Sequence, residues 1–150
     1  MDQHYHGDIR VGREYTAARC VGNFIRKRRK QRTVTDIYVD GGTRGSRICL
    51  VDKSENKTII KTRGGDLTNN ELEYLAVLYA LDYINNRHKK DNITIYSDSK
   101  LIVNQINGEW RITTGRLQPL YDKCMKRMTS KIKIKWVGRD SNLAGIILED

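Results

Sequence analysis

The chain has 150 residues, 38% hydrophobic and 31% charged, enough apolar material for one buried core without disulfide staples. No apolar run approaches the roughly 18 residues needed to span a bilayer, and no secretory leader pattern opens the chain, so an intracellular, cytoplasmic protein is expected. The net charge of +10 favours a polyanionic partner, nucleic acid before an anionic membrane. Cys20, Cys49 and Cys124 are an odd number at wide spacings, which predicts free thiols and no zinc site.

Residues 1–34 hold nine Lys/Arg against three Asp/Glu, a surplus of +6, while residues 35–150 hold 19 against 15. The first segment ends in Arg26-Lys27-Arg28-Arg29-Lys30-Gln31-Arg32, a self-repelling run of the kind that forms solvated arms. A short helix over Tyr15–Val21 is weakly signalled. Residues 1–34 are therefore expected to be a basic extension, either loosely docked or gripping phosphates, and residues 35–150 the folded domain.

From Thr35 the pattern is regular. Thr35–Asp40 reads as a strand ending on a carboxylate, followed by the tight turn Gly41-Gly42-Thr43-Arg44-Gly45. Ser46–Val51 and Lys57–Thr62 read as the next strands of a meander. Asn70–Arg87 is the strongest helix, with Leu72, Leu75, Ala76, Leu78, Tyr79, Ala80, Tyr83 and Ile84 on a broad apolar face. Thr68 and Glu71 form the capping box that starts it. Asn92–Ser97 is a fourth strand, again followed by a carboxylate, Asp98. Helices over Ser99–Asn107 and Arg116–Thr129 follow, with Pro119 in the first turn of the latter. Lys131–Val137 alternates as a fifth strand, and a short helix is expected from Ser141 onward.

Strands alternating with helices predict an α/β layer with parallel pairs. In such sheets ligands sit beyond the carboxyl ends of the strands, where Asp40 and Asp98 lie. Carboxylates brought together there repel, and a divalent cation bound by oxygen alone, Mg²⁺ or Mn²⁺, relieves the conflict. Glu73 is a third candidate. At about 100° per residue it shares a helix side with Ala76, Val77, Ala80 and Ile84, where a carboxylate must be paired, neutral or metal-bound. Singly, each acid has an ordinary alternative as a turn former or helix cap. The combination is the sharper signal.

These residues resemble the motifs of type 1 ribonuclease H, in order, over about residues 35–148. Asp40-Gly41 is similar to the first motif. Thr68-Asn69-Asn70-Glu71-Leu72-Glu73-Tyr74 is similar to the second, and Tyr96-Ser97-Asp98-Ser99 to the third. Trp136-Val137-Gly138-Arg139-Asp140-Ser141-Asn142 resembles the approach to the fourth. The resemblance implies a five-stranded mixed sheet of order 3-2-1-4-5 with helices on both faces. It implies a monomeric endonuclease that hydrolyses the RNA strand of RNA–DNA hybrids with two metal ions and leaves 5′-phosphate and 3′-hydroxyl ends. By carry-over, Asp40 would bridge both ions, and Glu73 and Asp98 would help hold one. Gly41, Gly42, Asn69 and Asn70 would face the minor groove, where 2′-hydroxyls distinguish RNA from DNA. Thr68 is placed for a phosphate or for its cap. Arg139 and Asn142 match residues near the scissile phosphate, Ser99 after the third acid is a further nucleic-acid-binding candidate, and Trp110 would pack beside the DNA strand or in a turn.

The chain departs from the pattern at Gly145, which follows Ala144 where the family carries its fourth carboxylate. Glu149, one turn on, is the candidate substitute as catalytic and metal-binding residue. Asp140 is another, and three acids with solvent a third. The basic protrusion of some members is absent, because Gly108–Gly115 is short; the N-terminal arm is expected to replace it as the electrostatic grip. Three other readings stand beside the hybrid nuclease: a DNA-directed nuclease of the same superfamily, a nucleic-acid-binding module made inactive by Gly145, and a membrane-surface protein. The last lacks an amphipathic anchor.

Overall fold

The computed structural model describes residues 34–89 and 91–149. The arm (apart from Val34), the Tyr15–Val21 helix and Cys20 lie outside the described residues. Strand β1 runs Val34–Gly42, β2 Arg47–Asp52, β3 Lys57–Thr62, β4 Asn92–Ser97 and β5 Ile132–Trp136. The sheet order is β3-β2-β1-β4-β5. The meander β1–β2–β3 is antiparallel, whereas β1–β4 and β4–β5 are parallel. This is the mixed sheet expected.

Alternation sorts the strands into two faces. Ile37, Val39, Ile48, Leu50, Ile93, Ile95, Ile132 and Ile134 turn to one face and join the main core. Helices α1 (Asn69–Arg87), α2 (Lys100–Ile106) and α3 (Gln118–Arg127) supply the rest of that core through Leu72, Tyr74, Val77, Leu81, Ile102 and Cys124. On the other face Cys49 and Val51 pack with Ala144 and Leu148 of α4 (Leu143–Glu149). Helices therefore flank both faces, but α4 touches only β1 and β2 of the sheet. No helix among the described residues is long and apolar enough to cross a membrane.

Several boundaries moved for local reasons. β2 starts at Arg47 because Ser46, with φ 47°, still belongs to the turn, whose preceding Gly45 has φ 76°. α3 starts at Gln118 after a turn closed by Leu117 N–H on Thr114 O, with Pro119 placed where no helical N–H is required. The terminal helix divides into a 3₁₀ turn, Arg139–Ser141, and α4, with Asn142 extended between them. The Thr68–Glu71 capping box is complete, and Arg116 pairs with Glu71 at 2.8 Å. Cys49 and Cys124 are free and buried.

At the far end of β2 from the turn, buried Asp52 organises a polar network. It accepts from Ser54 N–H and Oγ–H, from Tyr83 Oη–H at 2.7 Å, and faces His88 Nε2 at 2.9 Å. His88 Nδ1 meets Asp91 at 3.0 Å, so both ring nitrogens face carboxylates, an arrangement that favours the imidazolium. Burial opposes charge on His88, but the bonds to Asp52 and Asp91 outweigh it and raise its pKa. Burial likewise opposes the Asp52 carboxylate, and its bonds from Ser54, Tyr83 and His88 outweigh that, holding its pKa down at about 2. The His88 contribution is full below its ordinary 6.5 and fades as pH rises through its raised value. The Asp52 contribution is full above 3.8 and fades as pH falls towards about 2. His88→Gln is thus expected to cost about 2 kcal/mol in urea unfolding at pH 5 and clearly less at pH 9; an equal cost at both would show that His88 is not charged in the fold.

Candidate active site

β1 and β4 are adjacent, parallel and in register at Tyr38↔Tyr96. Asp40 and Asp98 each stand two residues further along, so the register that pairs the tyrosines also brings the two acids side by side. Asp40 lies within β1, two residues before its end, and Asp98 just beyond β4. Glu73 comes from the first turns of α1, which crosses β1 closely enough for Gly41 N–H to donate to Glu73 Oε1 at 2.6 Å. A Cβ on Gly41 would strike the carbonyl of Leu72 and come within 2.8 Å of Glu73 N. The strand and helix can approach this closely only with glycine there.

Asp40, Glu73 and Asp98 each place a carboxylate oxygen within 4.8 Å of the others. Glu73 is buried, and the other two are half-buried. Burial, then the neighbouring charges of Asp40 and Asp98, push the Glu73 pKa up, against the Gly41 N–H bond. Burial also raises Asp40, helped by Asp98 and opposed by its bond with Glu73, by Gly41 and by Arg139. Two adjacent ionised carboxylates in this setting repel, which favours the protonated form of one of them when no cation is bound. An all-oxygen set of three acids is the donor chemistry of a hard divalent cation, and these residues fit one.

A cleft of about 310 Å³ opens over the triad. Gly41, Gly42, Asn69, Ser99, Arg139 and Glu149 line it with the three acids. Glu149 therefore faces the cleft but stands outside the close triad. Ser99 caps α2 by accepting from Ile102 N–H, and its own N–H donates to Ser97 Oγ, which fixes the turn carrying Asp98. Asp140 is exposed and does not line the cleft. Neither do Thr68, Asn70 and Trp110. Thr68 is engaged as the α1 cap, Asn70 is exposed beside it, and Trp110 is half-exposed past the end of α2.

Asn142 departs from the expectation of a nucleic-acid contact. It is 0% exposed. Its amide donates to Val39 O at 3.0 Å and Asp98 Oδ2 at 3.3 Å, and its Oδ1 accepts from Ala144 N–H at 3.2 Å. The side chain thus ties β1, Asp98 and the start of α4 together from beneath the cleft. Gly145 is part of the same close packing: a Cβ there would lie 3.2 Å from Asp98 Oδ2 and 3.6 Å from Asp40 Oδ2. Trp136 also bears on the site, through an Nε1–H bond to Asp98 O at 3.2 Å with Lys100 over its ring. Its place at the end of β5 was visible in the sequence; the cross-strand bond was not.

Residues 38–148 match the family model described as reverse transcriptase-like, and the chain belongs to that family. Its fold is that of type 1 ribonuclease H. A curated ribonuclease H from Neorickettsia sennetsu is 31% identical over 93 residues, 53% of this chain; the match spans only 60% of that protein's length. The ribonuclease H1 of the halophilic archaeon Halobacterium salinarum NRC-1 is 24% identical, with a TM-score of 0.63 over 77% of this chain and 94% of that one. LC11-RNase H1, solved in complex with an RNA/DNA hybrid, is 25% identical, with a TM-score of 0.64 over 73% and 88%.

Removing the Asn142 amide would orphan Val39 O, Ala144 N–H and one side of Asp98. Asn142→Ala is expected to lower unfolding free energy by about 2 kcal/mol, whereas the exposed Asn70→Ala should change it by under about 0.5 kcal/mol. Equal small effects in denaturant titrations would remove Asn142 from the framework of the site.

Proposed function

We propose that the chain is a ribonuclease H that hydrolyses the RNA strand of RNA–DNA hybrids, leaving 5′-phosphate and 3′-hydroxyl ends. The observation that carries this reading is the convergence of Asp40, Glu73 and Asp98 at the strand ends of a family member. The match to a ribonuclease H and the hybrid complex of LC11-RNase H1 support it. Asp40, Glu73 and Asp98 would hold Mg²⁺ or Mn²⁺, two ions in all, with Glu149 offering a further carboxylate from the cleft wall. Bound ions of this kind acidify water and neutralise charge on a departing oxygen. The chain's own contribution is to hold the acids in place through Gly41, Ser99 and Asn142, and to present Arg139 to a phosphate. Asn69 and the Gly41-Gly42 backbone would meet the minor groove. Residues 1–34 would add electrostatic grip, and the working unit would be a cytoplasmic monomer.

Gly145 supports a second reading, a hybrid-binding module without turnover. No carboxylate projects from position 145, although Glu149 reaches the same cleft. Cleavage of a labelled hybrid in Mg²⁺ or Mn²⁺, beside duplex DNA and duplex RNA, separates the two. Loss of an outer-shell partner commonly costs about 10- to 100-fold, so Asp40→Asn, which alters a direct ligand, should lose at least about 100-fold. Glu149→Ala should reduce turnover while leaving hybrid affinity intact if it assists the metal site. Tight binding with no cutting in either cation would establish the module reading instead.

A further inference from the structure

Among the described residues, the sheet face opposite α1–α3 is only half covered. Among the described residues, α4 packs on β1 and β2 and has no contact with β4 or β5. Because Ile132 and Ile134 turn into the main core, Lys133 and Lys135 project from the opposite face, and both are exposed. Register places Lys135 beside Tyr96, and Tyr96 beside Tyr38, in one cross-strand row. The next row is Asp36, Thr94 and Lys133. Tyr38 and Tyr96 stack with centroids 5.0 Å apart and planes 21° apart, which stiffens the half-buried Tyr96 ring. The row ends towards the cleft, since Tyr96 precedes Asp98 by two residues and Lys135 adjoins Trp136, itself under Lys100.

We propose that this uncovered strip, Tyr96 with Lys133 and Lys135, binds a single-stranded nucleic-acid segment extending from a duplex held at the cleft. An aromatic platform beside a line of exposed cations is the chemistry that tracks a flexible polyanion while accepting any base. The strip spans two strands, β4 and β5, about 10 Å in all, a width that suits one nucleic-acid strand better than a duplex. The acids on this face are Asp36, two strands from Lys133 at about 9.6 Å, roughly one Debye length at physiological salt, and the triad acids Asp40 and Asp98, each two residues beyond the stacked tyrosines. Asp36 therefore weakens the Lys133 field only modestly, whereas Asp98 lies nearer Lys135, so Lys133 carries the larger share of the strip's positive field. The proposal takes the hybrid-cleaving reading as the source of the duplex, and its test is a binding measurement that does not depend on turnover.

The experiment compares a short blunt hybrid with the same hybrid carrying a single-stranded RNA tail, by fluorescence anisotropy of the full chain without divalent cations. The wild type is expected to bind the tailed hybrid about tenfold more tightly, the equivalent of one stacked base. Lys133→Glu/Lys135→Glu should lose that advantage, and Lys133→Gln/Lys135→Gln most of it, with blunt-hybrid affinity and cleavage unchanged. The salt slope for the tailed substrate should fall by about 1.4 on losing two phosphate contacts, at about 0.7 each. A tail that adds nothing to wild-type binding overturns the proposal, as does an equal loss for blunt and tailed substrates. Failure of the wild type to cut any hybrid would instead defeat the nuclease reading and leave the tail comparison intact.

Discussion

Three carboxylates forced within 4.8 Å of one another set the terms for the rest of this fold. Their mutual repulsion, sharpened by the burial of Glu73, opposes folding, and the structure around them is arranged to hold them there. Parallel pairing of β1 with β4 puts Asp40 and Asp98 at equal depth. The capping box starts α1 so that Glu73 arrives over the end of β1. The hydrophobic core supplies the free energy that offsets this crowding, through residues such as Ile37, Val39, Leu72, Val77 and Ile95, all essentially inaccessible to solvent.

The hydrogen bonds near the triad show how position is enforced. Gly41 contributes both by its lack of a side chain and by its N–H. Asn142 spans the distance from β1 to α4 and braces Asp98, while Ser97 and Trp136 fix the backbone on either side of that acid. Gly145 brings the α4 backbone against Asp98 and Asp40, so this helix closes the site by packing rather than by contributing a carboxylate at that position. The same helix, covering only β1 and β2, leaves the β4–β5 half of its sheet face to carry charge and aromatic surface.

Much of this was legible in the chain. Alternation placed the strands, and the polar turns between them placed Asp40 and Asp98 at strand ends. Glu73 stood out because a carboxylate on an apolar helix face requires a partner. What escaped the sequence depends on distant juxtaposition. Asn142 bonds to Val39 across 103 positions, and nothing local separates that buried brace from a groove-facing amide. The His88–Asp52 contact spans 36 positions and likewise follows only from the packing of α1 on the meander. Thr68 illustrates a third case: its local cap was readable, and the structure shows that role while leaving the residue outside the cleft lining.

The triad's crowding burdens the fold, and a divalent cation would relieve that burden. Thermal unfolding of the wild type and Asp40→Asn, each with and without Mn²⁺, tests it most directly. Asp40→Asn is expected to be the more stable protein without the cation, and Mn²⁺ to raise the melting temperature of the wild type far more than that of the variant. An equal Mn²⁺ response in both, or a variant less stable than the wild type in the cation's absence, would contradict it.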